Sequence, residues 1–198
     1  MVAALEKSLA TQVERGKLTE DESKAVRARV SATSNLHELA DCDLVIEAVF
    51  EDRAVKAGVT RQAEAVIGAD AVFASNTSTL PISGLAQASA RPANFIGLHF
   101  FSPVDKMPLV EIIVGAQTSP ETLARGFDFV LQIGKTPIVV NDSRGFYTSR
   151  VFATYVLEGL ALLAEGVHPR HIEQAGLPAG TPMPPLALQD EGSLSLAL

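Results

Sequence analysis

A histidine and a glutamate lie in two successive apolar runs of the chain, with turn residues between the runs. His99 ends the short apolar run 95–98, and Glu111 lies in a second apolar run that begins at Leu109. The turn residues between the runs predict two adjacent strands, so that one turn brings the imidazole to the carboxylate. An imidazole held by a carboxylate has a fixed tautomer and can act as a general base. The same spacing also suits a hydrogen-bonded core histidine and a glutamate at the end of a strand. Taken alone, the spacing favours this structural interpretation.

The elements that position this pair have the order of an α/β fold. The run 44–50 is apolar apart from Glu47, and a helix predicted over 53–67 follows it, which is typical of a βα unit in a parallel sheet. The next predicted strand, 71–75, ends in the polar run 76–79. Ligands of open α/β sheets bind at this edge, although the same run suits a cap cluster ahead of a helix.

Helical patterns flank the predicted sheet. The first thirty residues predict a helical hairpin, with a capping box from Thr19 to Glu22, and a segment capped by Ser34 follows. Ser119 caps a further predicted helix that reaches about Gln132. The basic residues of the hairpin suit solvated helix faces, and four of them cluster near its turn: Arg15, Lys17, Lys24 and Arg27.

The C-terminal part of the chain changes character. After the loop and strand in 134–141, residues 146–165 are predicted as one helix, and a stretch rich in proline and glycine follows. We therefore predict two domains, 1–141 and 142–198. Gly134-Lys135-Thr136 superficially suggests a phosphate-binding loop, but the first glycine of that motif is replaced by Phe129 and a strand follows instead of a helix.

Composition excludes several classes of function. The net charge of −7 argues against a nucleic-acid surface, and the chain has no apolar run long enough for a transmembrane helix. The single cysteine, Cys42, suits a reducing cytoplasm. The sequence contains no CxxC or HExxH spacing, so we predict no metal site.

Three blocks of the sequence resemble one enzyme family. GLHFFSPVDKMPLVEII contains His99 and Glu111, ASNTSTLPI spans 74–82, and DSRGFYTSR spans 142–150. In this order they resemble the L-3-hydroxyacyl-CoA dehydrogenase family, in particular the dehydrogenase portion of the multifunctional chains of bacterial fatty-acid oxidation. The resemblance implies an α/β fold in which a Rossmann-like, mostly parallel sheet is followed by the start of an all-helical C-terminal domain.

The resemblance also implies a reaction and its catalytic residues. The family oxidises the 3-hydroxyl of a 3-hydroxyacyl-CoA to a ketone, with NAD as cofactor. His99 matches the base, Glu111 matches its partner, and Ser78 matches a hydroxyl that hydrogen-bonds the substrate oxygen. Ser149 stands where the family usually has an asparagine, in the frame GF-x-x-N-R. A serine hydroxyl is shorter than an amide and lacks its paired geometry, which puts this role in doubt.

Further positions are implied as contacts of the cofactor. Glu51, Lys56 and Asn76 match residues that contact NAD in the family. Ser102 follows HFF at a place where an asparagine is common, and we group it with the cofactor-binding residues. Pro184 is another departure, because the family tends to have glycine there. The helical extension at the N-terminus contributes to holding coenzyme A in the family, and a basic patch would suit its phosphates.

One expected motif is missing. Dinucleotide-binding domains normally begin with a strand and G-x-G-x-x-G, and this sequence contains no such spacing. We therefore expect a sheet that lacks its first βαβ unit, in a chain truncated relative to the family. A portion of a dehydrogenase and a noncatalytic scaffold fragment both remain open, and a related hydroxyacid reductase is a weaker third. The exposed apolar edge at 44–50 predicts a homo-oligomer or an edge covered by helices.

Overall fold

A computed structural model describes residues 2–178, 180–181 and 183–191 of the chain. The chain divides into two units, of which the first ends at Ala40 and the second begins at Asp41. The first unit contains the predicted hairpin, formed by α1 (Val2–Glu14) and α2 (Glu20–Ala28). The capping box is present, because the hydroxyl of Thr19 accepts from the backbone N–H of Glu22, whose carboxylate accepts from the Thr19 N–H in return.

Two details of the first unit refine the sequence interpretation. Arg27, one of the clustered basic residues, forms an ion pair with Glu6 at 2.9 Å and so joins the two helices. The prediction that Ser34 caps the next segment is wrong. A 3-10 helix, Leu36–Leu39, begins instead after Asn35, whose side chain accepts a backbone N–H two residues on.

The second unit is built on a five-stranded sheet in which the strands lie side by side in chain order. The first three strands are parallel, the fourth runs antiparallel to the third, and the fifth is parallel to the fourth. The prediction of a mostly parallel sheet is therefore confirmed. The strands are β1 (Leu44–Glu47), β2 (Val72–Ser75), β3 (Phe95–Phe100), β4 (Leu109–Val114) and β5 (Thr136–Asn141).

Among the residues of this unit that the structure describes, three long α-helices accompany the sheet, two short α-helices come after them, and a single-turn α-helix lies between β2 and β3. They are α3 (Arg53–Glu64), α4 (Ile82–Leu85), α5 (Pro120–Gln132), α6 (Thr148–Ala164), α7 (Pro169–Gly176) and α8 (Pro185–Glu191). Ser119 caps α5 as predicted, because its hydroxyl accepts from the Thr122 N–H at 3.1 Å. The helices α6, α7 and α8 pack on one another and belong to the same unit as the sheet.

Alternation of side chains along the strands gives the sheet two different faces. One face of the central strands packs against Val130 of α5, and its buried residues are Val72, Ala74, Ile96, Leu98, Val110 and Ile112. Successive side chains of a strand point to opposite faces. His99 and Glu111 therefore lie on the other face, which also carries the stacked rings of Phe73 and Phe95 at 5.5 Å.

Strand β1 and helix α3 both end a few residues earlier than predicted. β1 ends at Glu47 rather than at residue 50, because the carboxylate of Glu47 turns back to accept the N–H of Val49 at 3.1 Å. Phe50 is then 88% exposed and leads to Asp52, the cap of α3. That helix ends at Glu64 rather than at residue 67, since a tighter turn follows it.

The segment that superficially suggests a phosphate-binding loop has a structural role. Gly134 takes a left-handed conformation at the end of α5, and β5 follows directly, as the sequence predicted. The ammonium of Lys135 donates to the backbone oxygens of Val104 at 2.5 Å and Met107 at 2.7 Å. Lys135 therefore fastens the loop between β3 and β4. No helix among the described residues is long and apolar enough to cross a membrane.

Candidate active site

His99 and Glu111 meet across the antiparallel pair of strands. The β3–β4 register places the two residues directly opposite each other, and His99 Nδ1 lies 2.7 Å from Glu111 Oε2. His99 is 5% exposed and Glu111 is fully buried. Because the loop between the strands folds back on itself, the geometry expected from the sequence is present in the structure.

The N-terminus of α6 surrounds the carboxylate of Glu111. Its Oε1 accepts from the backbone N–H groups of Tyr147 at 3.1 Å and Thr148 at 2.8 Å. Its Oε2 accepts from the hydroxyl of Thr148 at 2.7 Å as well as from His99. Burial opposes ionisation of Glu111, but the hydrogen bonds from His99 and Thr148 outweigh it and hold the pKa of Glu111 below its ordinary value.

An ionised Glu111 fixes the tautomer of the histidine. A carboxylate can only accept hydrogen bonds, so the ring proton of His99 lies on Nδ1. The other ring nitrogen, Nε2, then carries a free lone pair, and His99 lines an open cavity. The arrangement can therefore take a proton from a hydroxyl group placed in that cavity.

A left-handed turn aims the helix at Glu111. Gly145 has φ +74° and Phe146 has φ +48°, so the predicted helix start at residue 146 gives way to a start at Thr148. A positive φ is uncommon for a phenylalanine and persists only where packing supports it. Phe146 is 2% exposed, and its ring lies 6.1 Å from the ring of His99.

The cavity beside His99 has both polar and apolar lining groups. Its volume is about 480 Å³. Besides His99 and Gln189, its polar lining consists of hydroxyl groups from three elements, namely Ser78, Thr79, Ser102, Thr148 and Ser149. Its apolar lining comes from α6, α8 and the β3–β4 loop and consists of Phe101, Phe152, Ala153, Val156, Leu157 and Leu188. Such a site suits a ligand that carries both an oxygen and an aliphatic segment.

Ser78 and Ser149, both predicted as catalytic, are brought together in this cavity. The hydroxyl of Ser149 donates to the backbone oxygen of Ser78 at 3.2 Å. Ser102 lines the same cavity from the β3–β4 loop. Three of the four predicted catalytic residues, His99, Ser78 and Ser149, therefore line one cavity together with Ser102, which was predicted as a cofactor contact. The fourth, Glu111, is buried behind His99 and contacts it without reaching the cavity.

The remaining predicted cofactor residues form a second cluster beyond β1 and β2. The carboxylate of Glu51 accepts from the hydroxyl of Thr77 and from the backbone N–H groups of Ser78 at 3.1 Å and Thr79 at 3.2 Å. Lys56 Nζ lies 3.3 Å from the other oxygen of Glu51. Burial opposes ionisation, and the Thr77 hydrogen bond with the Lys56 charge keeps the pKa of Glu51 below its ordinary value.

Lys56 itself faces inward. It is 2% exposed, and its ammonium donates to both oxygens of Glu47, at 3.0 and 3.1 Å. Glu47 is also held by the hydroxyl of Ser75. Lys56 thus joins Glu47 to Glu51. The side-chain oxygen of Asn76 accepts the Phe100 N–H at 2.8 Å.

These residues fit one end of a dinucleotide. Glu51 holds the backbone of Ser78, which lines the His99 cavity, and Asn76 holds the N–H of Phe100, so both side chains fix the backbone where a nicotinamide ring could be held. A pyrophosphate needs a row of backbone N–H groups at a helix N-terminus, and the sequence has no G-x-G-x-x-G to supply them.

Sequence reasoning missed two supporting groups. Thr148 donates to Glu111 from a position 37 residues further along the chain. Glu47 accepts from Lys56, which also lies beside Glu51. The lone carboxylate in an apolar strand was the available signal for Glu47. Nothing local marks Thr148, because its contact depends on the left-handed turn before α6.

Comparisons with known proteins agree with this geometry. The family model of the 3-hydroxyacyl-CoA dehydrogenase NAD binding domain matches residues 1–143, and the model of the C-terminal domain of 3-hydroxyacyl-CoA dehydrogenase matches residues 145–198. The fatty acid oxidation complex subunit alpha of Shewanella oneidensis is 46% identical over 179 residues, which are 90% of this chain and 25% of that protein. The chain thus spans about a quarter of the length of the curated relatives it matches.

Solved structures give the same assignment. The (S)-3-hydroxybutyryl-CoA dehydrogenase PaaH1 from Ralstonia eutropha has a TM-score of 0.92 and 37% identity, covering 96% of this chain and 68% of that one. FadB2 from M. tuberculosis has a TM-score of 0.90 and 36% identity, with the same coverage of each chain. Both family models and these structures carry one conclusion: the chain belongs to the 3-hydroxyacyl-CoA dehydrogenase family.

Proposed function

We propose that this chain carries the reactive centre of an NAD-dependent 3-hydroxyacyl-CoA dehydrogenase of fatty-acid β-oxidation. The observation that supports it is the buried His99–Glu111 pair, joined at 2.7 Å, in which His99 lines a cavity that has both hydroxyl groups and apolar side chains. The 3-hydroxyl would lie beside His99 and the hydroxyl groups, and the acyl chain would contact Phe152 and Leu157 on α6.

The residues divide the work of proton removal. Nε2 of His99 takes the proton of the 3-hydroxyl, and the imidazolium that forms is stabilised by the ionised Glu111. Ser78 lies beside it and can donate a hydrogen bond to the substrate oxygen, and Ser149 can do so by exchanging its bond to the Ser78 backbone oxygen for one to the substrate. Bound NAD would accept the hydride that leaves carbon 3. Glu51 and Asn76 would hold the nicotinamide end of the cofactor. Lys56 acts on this edge by fixing the carboxylate of Glu51.

Further expectations about the whole protein belong to this proposal. The similarity to a subunit of the fatty acid oxidation complex supports a place within a larger multifunctional chain that takes acyl-CoA substrates. The edge strand β1 supports self-association, since its apolar residues Leu44, Val45 and Ile46 are only half-buried. One free cysteine, Cys42, supports a reducing cytoplasm as the site of action.

The activity is tested by measuring NADH formation from 3-hydroxyacyl-CoA. The protein used is this chain joined to the glycine-rich βαβ segment of a relative (the glycine-rich unit). Turnover that requires His99 would support the proposal. A joined protein that binds NAD and acyl-CoA but forms no NADH would support the alternative, in which this segment contributes only scaffold contacts.

A further inference from the structure

The carboxylate of Glu111 has one more side-chain donor than a histidine–glutamate pair requires. The hydroxyl of Thr148 lies 2.7 Å from Oε2, the same oxygen that His99 Nδ1 approaches at 2.7 Å. The backbone N–H of Thr148 separately reaches Oε1 at 2.8 Å. A valine at position 148 would keep the backbone contact and lose only the hydroxyl contact.

We propose that Thr148 is a positioning residue for the His99–Glu111 pair, whose hydroxyl holds Glu111 Oε2 in line with His99 Nδ1. This inference deepens the proposed function and rests on it for its effect on turnover. Two donors on each oxygen prevent the carboxylate from rotating toward the cavity that Thr148 itself lines. The orientation of the His99 ring is set in turn by Oε2.

The hydroxyl also affects the charge on Glu111. Each donor to a carboxylate favours its ionised form, and the Thr148 hydroxyl is one of several that oppose the effect of burial. Without it, the pKa of Glu111 should rise. The contribution is separable from packing, because the methyl and Cβ of Thr148 remain in a valine variant.

Other ionisable groups near the site are directed elsewhere. Glu51 accepts from the loop after β2, Asp142 after β5 accepts the Ser83 N–H at 2.7 Å, and Arg150 on α6 donates to Ser143 at 3.2 Å. The Tyr147 side chain is 60% exposed, and Lys56 is held by Glu47. Burial therefore raises the pKa of Glu111, while the hydrogen bonds from His99 and Thr148 lower it.

The experiment compares Thr148→Val with Thr148→Ser, which keeps the hydroxyl. Thr154→Val is the matched control, because Thr154 lies on the same helix and its hydroxyl donates to the backbone oxygen of Val151, outside the residues that line the cavity. The pKa of Glu111 is followed in the 198-residue chain by NMR of its labelled carboxyl carbon. Thr148→Val should raise it, while Thr148→Ser and Thr154→Val should leave it at the wild-type position.

Turnover gives the second readout. In the chain joined to a glycine-rich unit, Thr148→Val should lower kcat about tenfold, the equivalent of one charge-assisted hydrogen bond, with a smaller change in KM and recovery in Thr148→Ser. If the Glu111 pKa measured by NMR rises in Thr148→Val but the wild-type joined protein shows no turnover, the proposed function is rejected and the positioning role stays supported.

Several results would overturn the inference. One is a Glu111 pKa in Thr148→Val that matches wild type. Another is a Thr148→Ser variant that behaves like valine. Thr148→Ala serves as a second deletion if valine crowds the start of α6. Failure of both deletions to fold, while the serine variant folds, would assign the hydroxyl to folding rather than to positioning His99.

Discussion

The hydroxyl of Ser149 donates to the backbone oxygen of Ser78 at 3.2 Å, and so joins the start of α6 to the loop after β2. This contact brings together two residues that are 71 positions apart in the chain and that both line the cavity beside His99. A longer side chain at position 149 could keep the contact and also reach into the cavity with a second polar group.

Ser149→Asn should preserve or raise dehydrogenase activity in the chain joined to a glycine-rich unit. The amide can donate to Ser78 and to the substrate oxygen at once, whereas the serine hydroxyl has one proton. Steady-state NADH formation measures the effect, with Ser149→Ala as the variant that removes the single hydroxyl donor. A large loss of activity in the asparagine variant, with folding unchanged, would show that this chain uses the position differently.

His99→Ala should lower turnover by about 10²–10⁴-fold, the usual contribution of a general base. The cause is the loss of Nε2, the only ring nitrogen of His99 that Glu111 leaves free. His37→Ala is a matched control, since His37 lies in the first unit on an exposed 3-10 helix. Near-wild-type turnover in His99→Ala at neutral pH would remove the base from the mechanism.

Glu111→Gln should destabilise the fold at neutral pH by roughly 1.5–3 kcal/mol, because a hydrogen-bonded anion is replaced by a neutral amide. The pKa of Glu111 is below its ordinary value in the folded chain. Its ionisation therefore stabilises the fold above that ordinary value, and the stabilisation is lost as pH falls through the folded pKa.

Denaturant unfolding at several pH values checks this prediction. The difference in unfolding free energy between wild type and Glu111→Gln should shrink toward acid pH. Glu158→Gln on the exposed side of α6 is the control and should show little difference at any pH. A difference for Glu111→Gln that does not change with pH would mean that the loss comes from packing rather than from the anion.

The sequence predicts local features of this molecule better than contacts between distant segments. The capping box of Thr19 and Glu22 follows from local spacing. The pairing of His99 with Glu111 was suggested by two apolar runs joined by turn residues, and the family resemblance gave the pair its catalytic interpretation. The end of β1 was misplaced because a side chain, Glu47, takes over the backbone N–H of Val49. The role of Thr148 could not be predicted, since it depends on packing that supports a left-handed phenylalanine.

Lys56→Met should destabilise the second unit by roughly 3–5 kcal/mol, because it leaves the buried carboxylate of Glu47 without its cation. Lys56 and Glu47 side chains are each 2% exposed, so water cannot replace the lost partner. Adding Glu47→Gln to Lys56→Met should recover part of the loss. Thermal or denaturant unfolding of the single and double variants measures the coupling, and strictly additive losses would contradict it.

The 198-residue chain by itself should bind NAD weakly. The pyrophosphate of a dinucleotide normally sits on the N–H groups of a glycine-rich loop at a helix N-terminus, where close backbone approach and the helix dipole both favour the anion. The sequence has no such loop, so the contacts that remain are those near Glu51 and Asn76. Calorimetric titration with NAD should give no low-micromolar affinity, and joining the glycine-rich unit of a relative should restore it. A dissociation constant in the low micromolar range for this chain alone, equivalent to about 8 kcal/mol of binding free energy, would mean that a cofactor site forms without the motif.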